Sequence, residues 1–516
     1  MRVISFFFRV PVLVAVGLIN VTEQIFASSG AFYKFLLVPG FESLRWKVGI
    51  WRAWESFYLA YWQVAAYRDY LSHRGGKPDI PVTKGLIPDL SVIPEMDKAS
   101  YVKAYGIHER IKKGKLPRHG VMVDESSGSS GQPTSWVRGP TERLVVSQMM
   151  RLSYHDSIDQ KRPVFILNAF ALGAWATGMN VSLSLTPCSI VKSTGPNIDK
   201  IIHTMIEFGA DYRYVVMGYP PFLKALADDS RIDWKKYIVD AGYGGEGISE
   251  SLRTYLLQKF QRVVGSYGAS DLEVNMAIET ELCVMLRRAV SDDAKLREQL
   301  IRTDYGVTPM IFQYNPLAYY LETNAAGELV VTMSRPFHIA PKIRYNIHDR
   351  GHILRVPKLR QILRSAGRED ILGKVENDLP LLFLYGRSDM SVDYYGANVT
   401  PDSIREVVYA VQTLAPIINT FRLLSYEDNQ ANKRMEIACE LMPGARPPED
   451  TASLTREVFE RLAKINADFL NAWKHTAPAD NMPLLTLHPF ETGPFAGGQR
   501  KLKNEYVVTN IQYDKL

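Results

Sequence analysis

Residues 164–167 read Val-Phe-Ile-Leu, and they are the first of four short runs of the same kind that decide the fold class. The other three are 214–217 (Tyr-Val-Val-Met), 237–240 (Tyr-Ile-Val-Asp) and 262–265 (Arg-Val-Val-Gly). Runs rich in β-branched and aromatic residues are typical of strands buried in a sheet. Helical patterns, at 199–208 and 249–260 among others, alternate with them. The alternation predicts an α/β architecture in which the strands pair in parallel.

Two later parts of the chain have a different pattern of predicted strands and helices. Residues 327–332 and 342–345 look like strands with no helix between them, which is typical of a β-rich subdomain. After Gly386 the chain reads as helices flanked by strands. We therefore predict a large N-terminal domain, residues 1–386, made of α/β subdomains with parallel-rich sheets plus a β-rich subdomain. A small α+β C-terminal domain, residues 387–516, follows it.

The composition excludes several classes of protein. Of the 516 residues, 46% are hydrophobic and 22% are charged, and these values exclude wholesale disorder, collagen and coiled coil. Lysine and arginine together number 61 against 55 acidic residues. This excess of six suits an anionic small ligand as well as it suits nucleic acid. Three scattered cysteines are too few for a disulfide scaffold or a zinc cluster, so we expect a reducing, cytoplasmic location.

The N-terminus, residues 1–27, is rich in apolar side chains, and its only basic groups are Arg2 and Arg9. This outline resembles a secretory signal. However, Arg9 interrupts the hydrophobic stretch, and the run that follows it is shorter than the roughly 20 residues of a membrane-spanning helix. The pattern favours a buried or surface-lying helix. A cleaved signal and a peripheral membrane contact are the alternatives.

Residues 124–134 carry the strongest functional signal and read Asp-Glu-Ser-Ser-Gly-Ser-Ser-Gly-Gln-Pro-Thr. Glycine lets the backbone turn so that successive N–H groups point at one anion, and serine hydroxyls can donate further hydrogen bonds to phosphate. A flexible linker has the same composition. The stretch lies inside the α/β region and leads into β-type sequence, which favours a phosphate loop. It is not a Walker loop, because it lacks Gly-Lys-Ser/Thr.

This loop resembles the phosphate loop of the adenylate-forming ligases, and its pattern is most similar to the phenylacetate–coenzyme A ligase branch. One residue departs from the family pattern, because Gln132 stands where lysine is usual. The resemblance implies that six residues hold the nucleotide phosphates: Ser126, Ser127, Gly128, Ser129, Ser130 and Gly131.

A second motif, Ser-Tyr-Gly-Ala-Ser-Asp at 266–271, resembles the family's Tyr-Gly-x-Thr/Ser-Glu. The resemblance implies that the Tyr267 ring, next to Gly268, stacks on adenine. Ser270 would meet the α-phosphate, and Asp271 would help to hold Mg²⁺. Aspartate is one methylene shorter than the family's glutamate, and a bridging water could restore the reach to the metal.

Three more segments follow in the family's order. Gly-Gly-Glu at 244–246 resembles a segment that borders adenine and the acyl pocket, which implies roles for Gly245 and Glu246. Pro341 to Asp349 resembles the motif whose final aspartate accepts hydrogen bonds from both ribose hydroxyls, and a carboxylate has the acceptor capacity for two donors. Gly-Arg-Ser-Asp at 386–389 resembles the hinge motif. It implies that Arg387 reaches the ribose and that the C-terminal domain swings about Asp389.

Two histidines flank Asp349, at positions 348 and 352. They lack a third ligand at metal-site spacing, so we interpret them as solvated turn residues. Near the C-terminus, Gly-Gly-Gln-Arg-Lys-Leu-Lys at 497–503 resembles the loop that carries the adenylation lysine. We align Lys501 with that lysine. Arg500 stands where glycine is usual, Lys503 is the alternative, and a solvated basic loop would have the same sequence.

The acyl pocket is less sharply marked. Residues 168–178 resemble the family's aromatic and glycine-rich segment beside the acid. Aromatic side chains of a hydrophobic core would look the same in sequence. The resemblance implies an apolar wall formed by Phe170, Gly173, Trp175, Tyr243 and Gly244.

Together the motifs imply an enzyme that uses ATP and Mg²⁺ to convert a carboxylic acid, aryl or apolar, into an acyl-adenylate with release of pyrophosphate. The acyl group would then pass to coenzyme A. Transfer to an amine, which would make an amide synthetase, is one alternative. A non-catalytic relative that binds nucleotide or acyl ligand is another, and the departures at Gln132, Asp271 and Arg500 leave it open. We expect small-molecule partners and no nucleic acid.

Overall fold

The computed structural model describes residues 2–26, 38–83, 85–126, 134–174, 176–245, 247–305, 307–388, 392–394, 397–427, 433–466, 469–470, 472–476, 482–496 and 507–511. Three helices and two short hairpins begin the chain, and single turns of other helix types at Leu90–Val92, Lys98–Val102 and Lys112–Gly114 separate the hairpins. These elements are α1 (Arg2–Phe26), α2 (Glu42–Gln63), α3 (Ala65–His73), β1 (Val82–Thr83), β2 (Ile87–Pro88), β3 (Met122–Ser126) and β4 (Thr134–Arg138).

The segment 41–75, which carries a stripe of aromatic side chains, forms two helices, because Val64 has an extended backbone, with φ −117° and ψ 112°, between α2 and α3. Its aromatic stripe is core, as Trp54, Phe57 and Tyr58 are buried. Helix α1 packs along α2. No helix among the described residues is long and apolar enough to cross a membrane.

The middle of the chain builds an eleven-stranded sheet with helices between its first strands. Its elements are α4 (Pro140–Ser157), β5 (Val164–Asn168), α5 (Ala176–Leu185), β6 (Ile190–Ser193), α6 (Ile198–Phe208), β7 (Arg213–Gly218), α7 (Pro220–Ala227), β8 (Ile238–Gly244), α8 (Glu250–Leu256), β9 (Arg262–Tyr267), β10 (Ala277–Ile278), α9 (Glu281–Asp292), α10 (Ala294–Leu300), β11 (Met310–Tyr314), β12 (Tyr319–Thr323), β13 (Glu328–Met333), β14 (Tyr345–Leu354), α11 (Val356–Ser365), α12 (Glu369–Leu372) and β15 (Leu381–Arg387).

The order of strands in this sheet is β12-β13-β14-β15-β11-β10-β9-β8-β7-β5-β6. The pairs from β6 to β9 are parallel, as the alternation of strands and helices predicts. All remaining pairs are antiparallel. The α/β fold class is thus confirmed. The antiparallel strands continue the large sheet.

Side chains alternate between the two faces of this sheet. In β5, Phe165 and Leu167 belong to the cluster under α6, α7 and α8, whereas Val164 and Ile166 belong to the cluster under α4 and α5. Both faces are therefore covered by helices, which explains why the parallel strands read as continuous apolar runs. The segment 342–345 does not form the predicted strand, since β14 begins only at Tyr345.

The remaining elements form a second, four-stranded sheet in the order β20-β19-β18-β21, with a small hairpin before it. Helix α13 begins at a Thr400–Ser403 capping box and contacts α8 of the large part. These elements are β16 (Val392–Tyr394), β17 (Ala397–Val399), α13 (Pro401–Ala410), β18 (Ile418–Glu427), β19 (Lys433–Leu441), α14 (Thr451–Ile465), β20 (Leu484–His488) and β21 (Val507–Ile511).

Candidate active site

Three residues predicted to bind the nucleotide meet at one point of the large sheet. The hydroxyl of Tyr267, at the end of β9, donates a hydrogen bond to Asp349 Oδ2 at 2.7 Å. Arg387 Nη1 lies 3.8 Å from Asp349 Oδ1. The register of β14 and β15 places Asp349 directly opposite Arg387. Tyr267 and Asp349 are buried, whereas the arginine side chain is 41% exposed, so the arginine forms the solvent-facing side of this group.

The electrostatics of the group keep the tyrosine protonated. Burial, together with the negative charge and hydrogen bond of Asp349, raises the pKa of Tyr267 well above its usual value. The guanidinium of Arg387 also donates to the carbonyl oxygen of Ile347 at 2.8 Å, which fixes its orientation. The result is a carboxylate with a neutral donor on one side and a cation on the other.

The loop that carries Ser270 and Asp271 is tied down from two directions. The Tyr345 hydroxyl donates to Asp271 Oδ2 at 2.5 Å. Arg138 Nη2 donates to the carbonyl oxygen of Ser270 at 2.5 Å, and Nη1 donates to that of Leu272. The loop also needs its glycine, because a Cβ at Gly268 would come within 2.6 Å of a backbone nitrogen of the same loop.

The phosphate-loop sequence closes a hairpin. Ser126 ends β3, Thr134 begins β4, and the two residues are paired. Next to them, Glu125 N donates to the carbonyl oxygen of Ala174 at 2.8 Å. The hairpin therefore adjoins both the acyl-pocket segment and, through Arg138 on β4, the loop of Ser270. Residues Ser127, Gly128, Ser129, Ser130 and Gly131, between the two strands, lie outside the described residues.

Part of the predicted acyl wall is assembled on the face of the sheet covered by α4 and α5. Phe170 packs edge-to-face on Tyr219, with ring centroids 5.4 Å apart. Added Cβ atoms on Gly244 and Gly245 would lie 3.7 Å from the Phe170 ring and 2.4 Å from the Tyr219 ring, respectively. Gly245 therefore permits the close approach of the Tyr219 ring, whereas a Cβ on Gly244 would meet the Phe170 ring at an ordinary van der Waals distance. Gly173 is exposed and has the positive φ of 86° that favours glycine.

The structure does not bring Tyr243 to this wall, which corrects the predicted grouping. Its neighbour Gly244 faces Phe170, and alternation along β8 turns Tyr243 to the opposite face. There its hydroxyl donates to Glu279 at 2.9 Å and accepts from Arg253 at 3.1 Å. Tyr243 is thus part of a buried polar network under α8.

The two histidines beside Asp349 are strand residues, so the prediction of solvated turn residues was wrong. His348 has a positive φ of 59°, and its ring nitrogens lie 3.3 Å from Asp97 Oδ2 and 3.3 Å from Glu328 Oε1. The ring of His352 stacks on Phe383, with centroids 4.4 Å apart. Burial lowers the pKa of His352 to about 4.

Glu328 and His348 also hold the end of β15. Ser388 donates its backbone N–H to the His348 carbonyl oxygen at 2.8 Å and its hydroxyl to Glu328 Oε1 at 2.5 Å. Although burial opposes ionisation, hydrogen bonds from Ser388, Asn346 and Asn324 lower the pKa of Glu328 to about 2. The segment that precedes the predicted hinge is therefore anchored by an ionised carboxylate.

Several predicted positions lie outside the described residues: Trp175, Glu246, Asp389, Lys501 and its alternative Lys503. Two residues that support the site, Tyr345 and Arg138, were not identified from the sequence. Tyr345 belongs to the Pro341–Asp349 motif and was passed over there. Arg138 gave a weaker signal, an arginine that closes a β-type run, and arginine in a buried strand is normally paired.

The side chains around the site determine which metal it could hold. No group of three or more histidine, cysteine, aspartate or glutamate side chains with the geometry of a metal site occurs in the described part of the chain. Mg²⁺ is commonly held by one or two carboxylates together with substrate phosphates. Asp271, half-buried and beside the predicted phosphate region, fits that pattern.

No protein-family model matches the sequence, and a search of curated proteins gives no significant match. Solved structures do match. A 2-hydroxyisobutyryl-CoA ligase in the postadenylation state, in complex with R3-HIB-AMP, is 12% identical with a TM-score of 0.63, over 92% of this chain and 90% of that one. The same ligase, in an open conformation with 2-HIB-AMP and CoA, gives 12% identity and 0.52 over 92% of both chains. In the thioesterification state it gives 13% and 0.52, over 91% and 90%. This chain therefore has the fold of that CoA ligase.

Proposed function

We propose that this protein activates a carboxylic acid with ATP, forming an acyl-adenylate and pyrophosphate, and then transfers the acyl group to coenzyme A. The observation that carries the proposal is the convergence of Tyr267, Asp349 and Arg387, which come from three separate strands. In the proposed complex, Asp349 accepts the ribose hydroxyls, Arg387 lies beside the ribose and the Tyr267 ring supports adenine. A carboxylate with cationic and neutral donors already around it is pre-organised for a vicinal diol.

The chemistry requires positive charge and N–H dipoles arranged before the reaction, because carboxylate, α-phosphate and pyrophosphate are all negative. In our proposal Ser270 donates to the α-phosphate and the loop 126–131 holds the departing pyrophosphate. Lys501 bridges the acid and the α-phosphate. Mg²⁺, when bound beside Asp271, would offset negative charge on the phosphates.

The same proposal assigns the residues after Arg387 to a mobile lid. Asp389 would be its hinge, and rotation would remove Lys501 from the α-phosphate and admit the acyl acceptor. Ser388, anchored to Glu328 and His348, would be the fixed side of that hinge. We expect Lys501→Ala to abolish adenylation and to leave acyl transfer from preformed acyl-AMP largely intact. Equal loss of both half-reactions would contradict the lid assignment.

The experiment that tests the proposal is ATP–pyrophosphate exchange with a panel of aryl and aliphatic acids. The cluster around Phe170 and Tyr219 supports an aryl or medium apolar acid. Exchange with at least one such acid is the expected result. Absence of exchange with every acid would favour a non-catalytic binding protein. Coenzyme A and amines, offered to the activated acid, then distinguish the thioester product that we expect from an amide.

We also propose that helix α1 rests on a membrane surface. Its inner face packs with Val12 and Val16 buried, while four aliphatic side chains on it are exposed: Val10, Val14, Leu18 and Val21. The sequence around them carries two arginines and has no acidic residue before Glu23, which suits an anionic bilayer. Val14→Gln with Leu18→Gln should reduce co-sedimentation with vesicles of phosphatidylserine and phosphatidylcholine. Ile206→Gln, an exposed site on α6, is the matched control, and equal binding of all three proteins would contradict the proposal.

A further inference from the structure

Lys342 is a buried lysine that the proposed reaction has not used. The residue is 4% exposed, and its Nζ lies 5.1 Å from the centroid of the Trp136 ring and 5.9 Å from that of the Tyr345 ring. Its hydrogen-bond partner is the carbonyl oxygen of Ala340, at a long 3.4 Å. Among the described residues, no carboxylate lies within ion-pair distance of Nζ. Burial of a cation costs free energy of desolvation, and here no nearby carboxylate of the described part of the chain offsets it.

The surroundings of Lys342 are charged but do not neutralise it. Burial, followed by the nearby positive charges of Arg138 and Arg110, lowers its pKa to about 7, while Asp271 and Glu142 oppose that shift. Lys342 is therefore only partly charged near neutral pH in the free protein. An added negative charge near Nζ would favour the charged form, so this position suits an anionic ligand.

Two contacts place the lysine at the phosphate end of the candidate site. Trp136 lies on β4, two residues or about 7 Å of strand beyond the phosphate loop. Tyr345 donates to Asp271, the residue that suits Mg²⁺ and phosphate. The loop itself, residues 126–134, contains no lysine or arginine. The loop sequence therefore supplies no side-chain cation to the phosphates, and Lys342 would add one to the charges of Mg²⁺ and Lys501.

We propose that Lys342 is a binding residue for the β- and γ-phosphates of the nucleotide, or for the pyrophosphate formed from them. This inference rests on the proposed function and adds a residue to it. The aromatic rings of Trp136 and Tyr345 lie beside the ammonium group, which would meet the phosphates as a point charge. AMP, which lacks those phosphates, would not need it.

The test is a calorimetric titration of the full chain with AMP and with the β,γ-imido analogue of ATP, both with Mg²⁺. Lys342→Met keeps the length of the side chain and removes the charge, Lys342→Arg keeps the charge, and Lys295→Met on exposed α10 is the matched control. We expect Lys342→Met to weaken binding of the ATP analogue at least tenfold, with AMP affinity unchanged within twofold. Lys342→Arg should recover most of the loss, and the control should bind as the wild type does.

Other results separate the two levels of the proposal. Equal binding of the analogue by wild type and Lys342→Met, or equal loss of both ligands, overturns the assignment of Lys342 alone. Absence of AMP binding by the wild type overturns the proposed function itself. Circular dichroism and thermal unfolding establish that Lys342→Met is folded, so that a loss confined to the ATP analogue reports on the phosphates.

Discussion

Arg138 offers the sharpest test of how the site is held together, and the perturbation is Arg138→Met. Its guanidinium donates to the carbonyl oxygens of Ser270 and Leu272 and lies 3.5 Å from Asp124 and 3.7 Å from Glu142. Methionine would leave two carbonyl groups without a donor and Asp124 without its cation. An unsatisfied buried group costs about 1–3 kcal/mol, and removal of one partner of a buried ion pair costs about 3–5 kcal/mol.

These values are not additive, since water can enter the space that the guanidinium leaves, so we expect a loss of about 3–5 kcal/mol. Urea unfolding followed by tryptophan fluorescence measures the loss. Arg231→Met is the matched control, because this arginine also pairs with two aspartates but on the open surface. The control should unfold like the wild type within experimental error. Equal losses of stability in both variants, or a loss below about 1 kcal/mol in Arg138→Met, would show that the buried guanidinium does not stabilise the site as we infer.

Two further predictions concern the framework of the site. Burial lowers the pKa of His352 to about 4 from its ordinary 6.5, so its neutral form stabilises the fold fully above pH 6.5, and this contribution, up to about 3 kcal/mol, is lost as pH falls from 6.5 to 4. The pH dependence of unfolding should flatten in His352→Phe, and an unchanged profile would contradict the effect. Gly265→Ala places a Cβ within 2.4 Å of the Tyr243 ring and should cost about 1–3 kcal/mol in urea unfolding. Gly17→Ala, in helix α1 with open space around it, should not destabilise, and equal effects of the two alanines would argue against the tight packing.

Much of the architecture could be predicted because the signals are local. Apolar runs such as 164–167 show buried parallel strands, since helices cover both faces of the sheet. The merging of the antiparallel strands into that sheet was not predictable in the same way. It depends on β11 pairing with β15, strands about 70 residues apart in the chain, and nothing in either strand specifies that partner.

Within the candidate site, too, local sequence patterns identify some residues, whereas contacts between distant segments cannot be seen in the sequence. Tyr267, Asp349 and Arg387 could be nominated because each belongs to a recognisable motif, and their mutual contacts follow from strand ends and register. Tyr243 does not belong to the acyl wall, because side chains alternate between the two faces of β8 and Tyr243 shares a face with Val239 and Ala241. Arg138 belongs to no motif, and Lys342, although it lies in the Pro341–Asp349 motif, had no role assigned to it there; the importance of both comes from contacts between distant segments.

The proposed contact between Asp349 and the ribose can be measured as the affinity of the wild type and of Asp349→Ala for AMP. Loss of two hydrogen bonds to a charged acceptor, at about 1.5–3 kcal/mol each, should weaken binding by at least about 100-fold. Circular dichroism and thermal unfolding establish that the variant is folded. We expect the wild type to bind AMP and Asp349→Ala to lose affinity by this factor. Failure of the wild type to bind AMP, or equal affinity in the folded variant, would contradict the proposed contact.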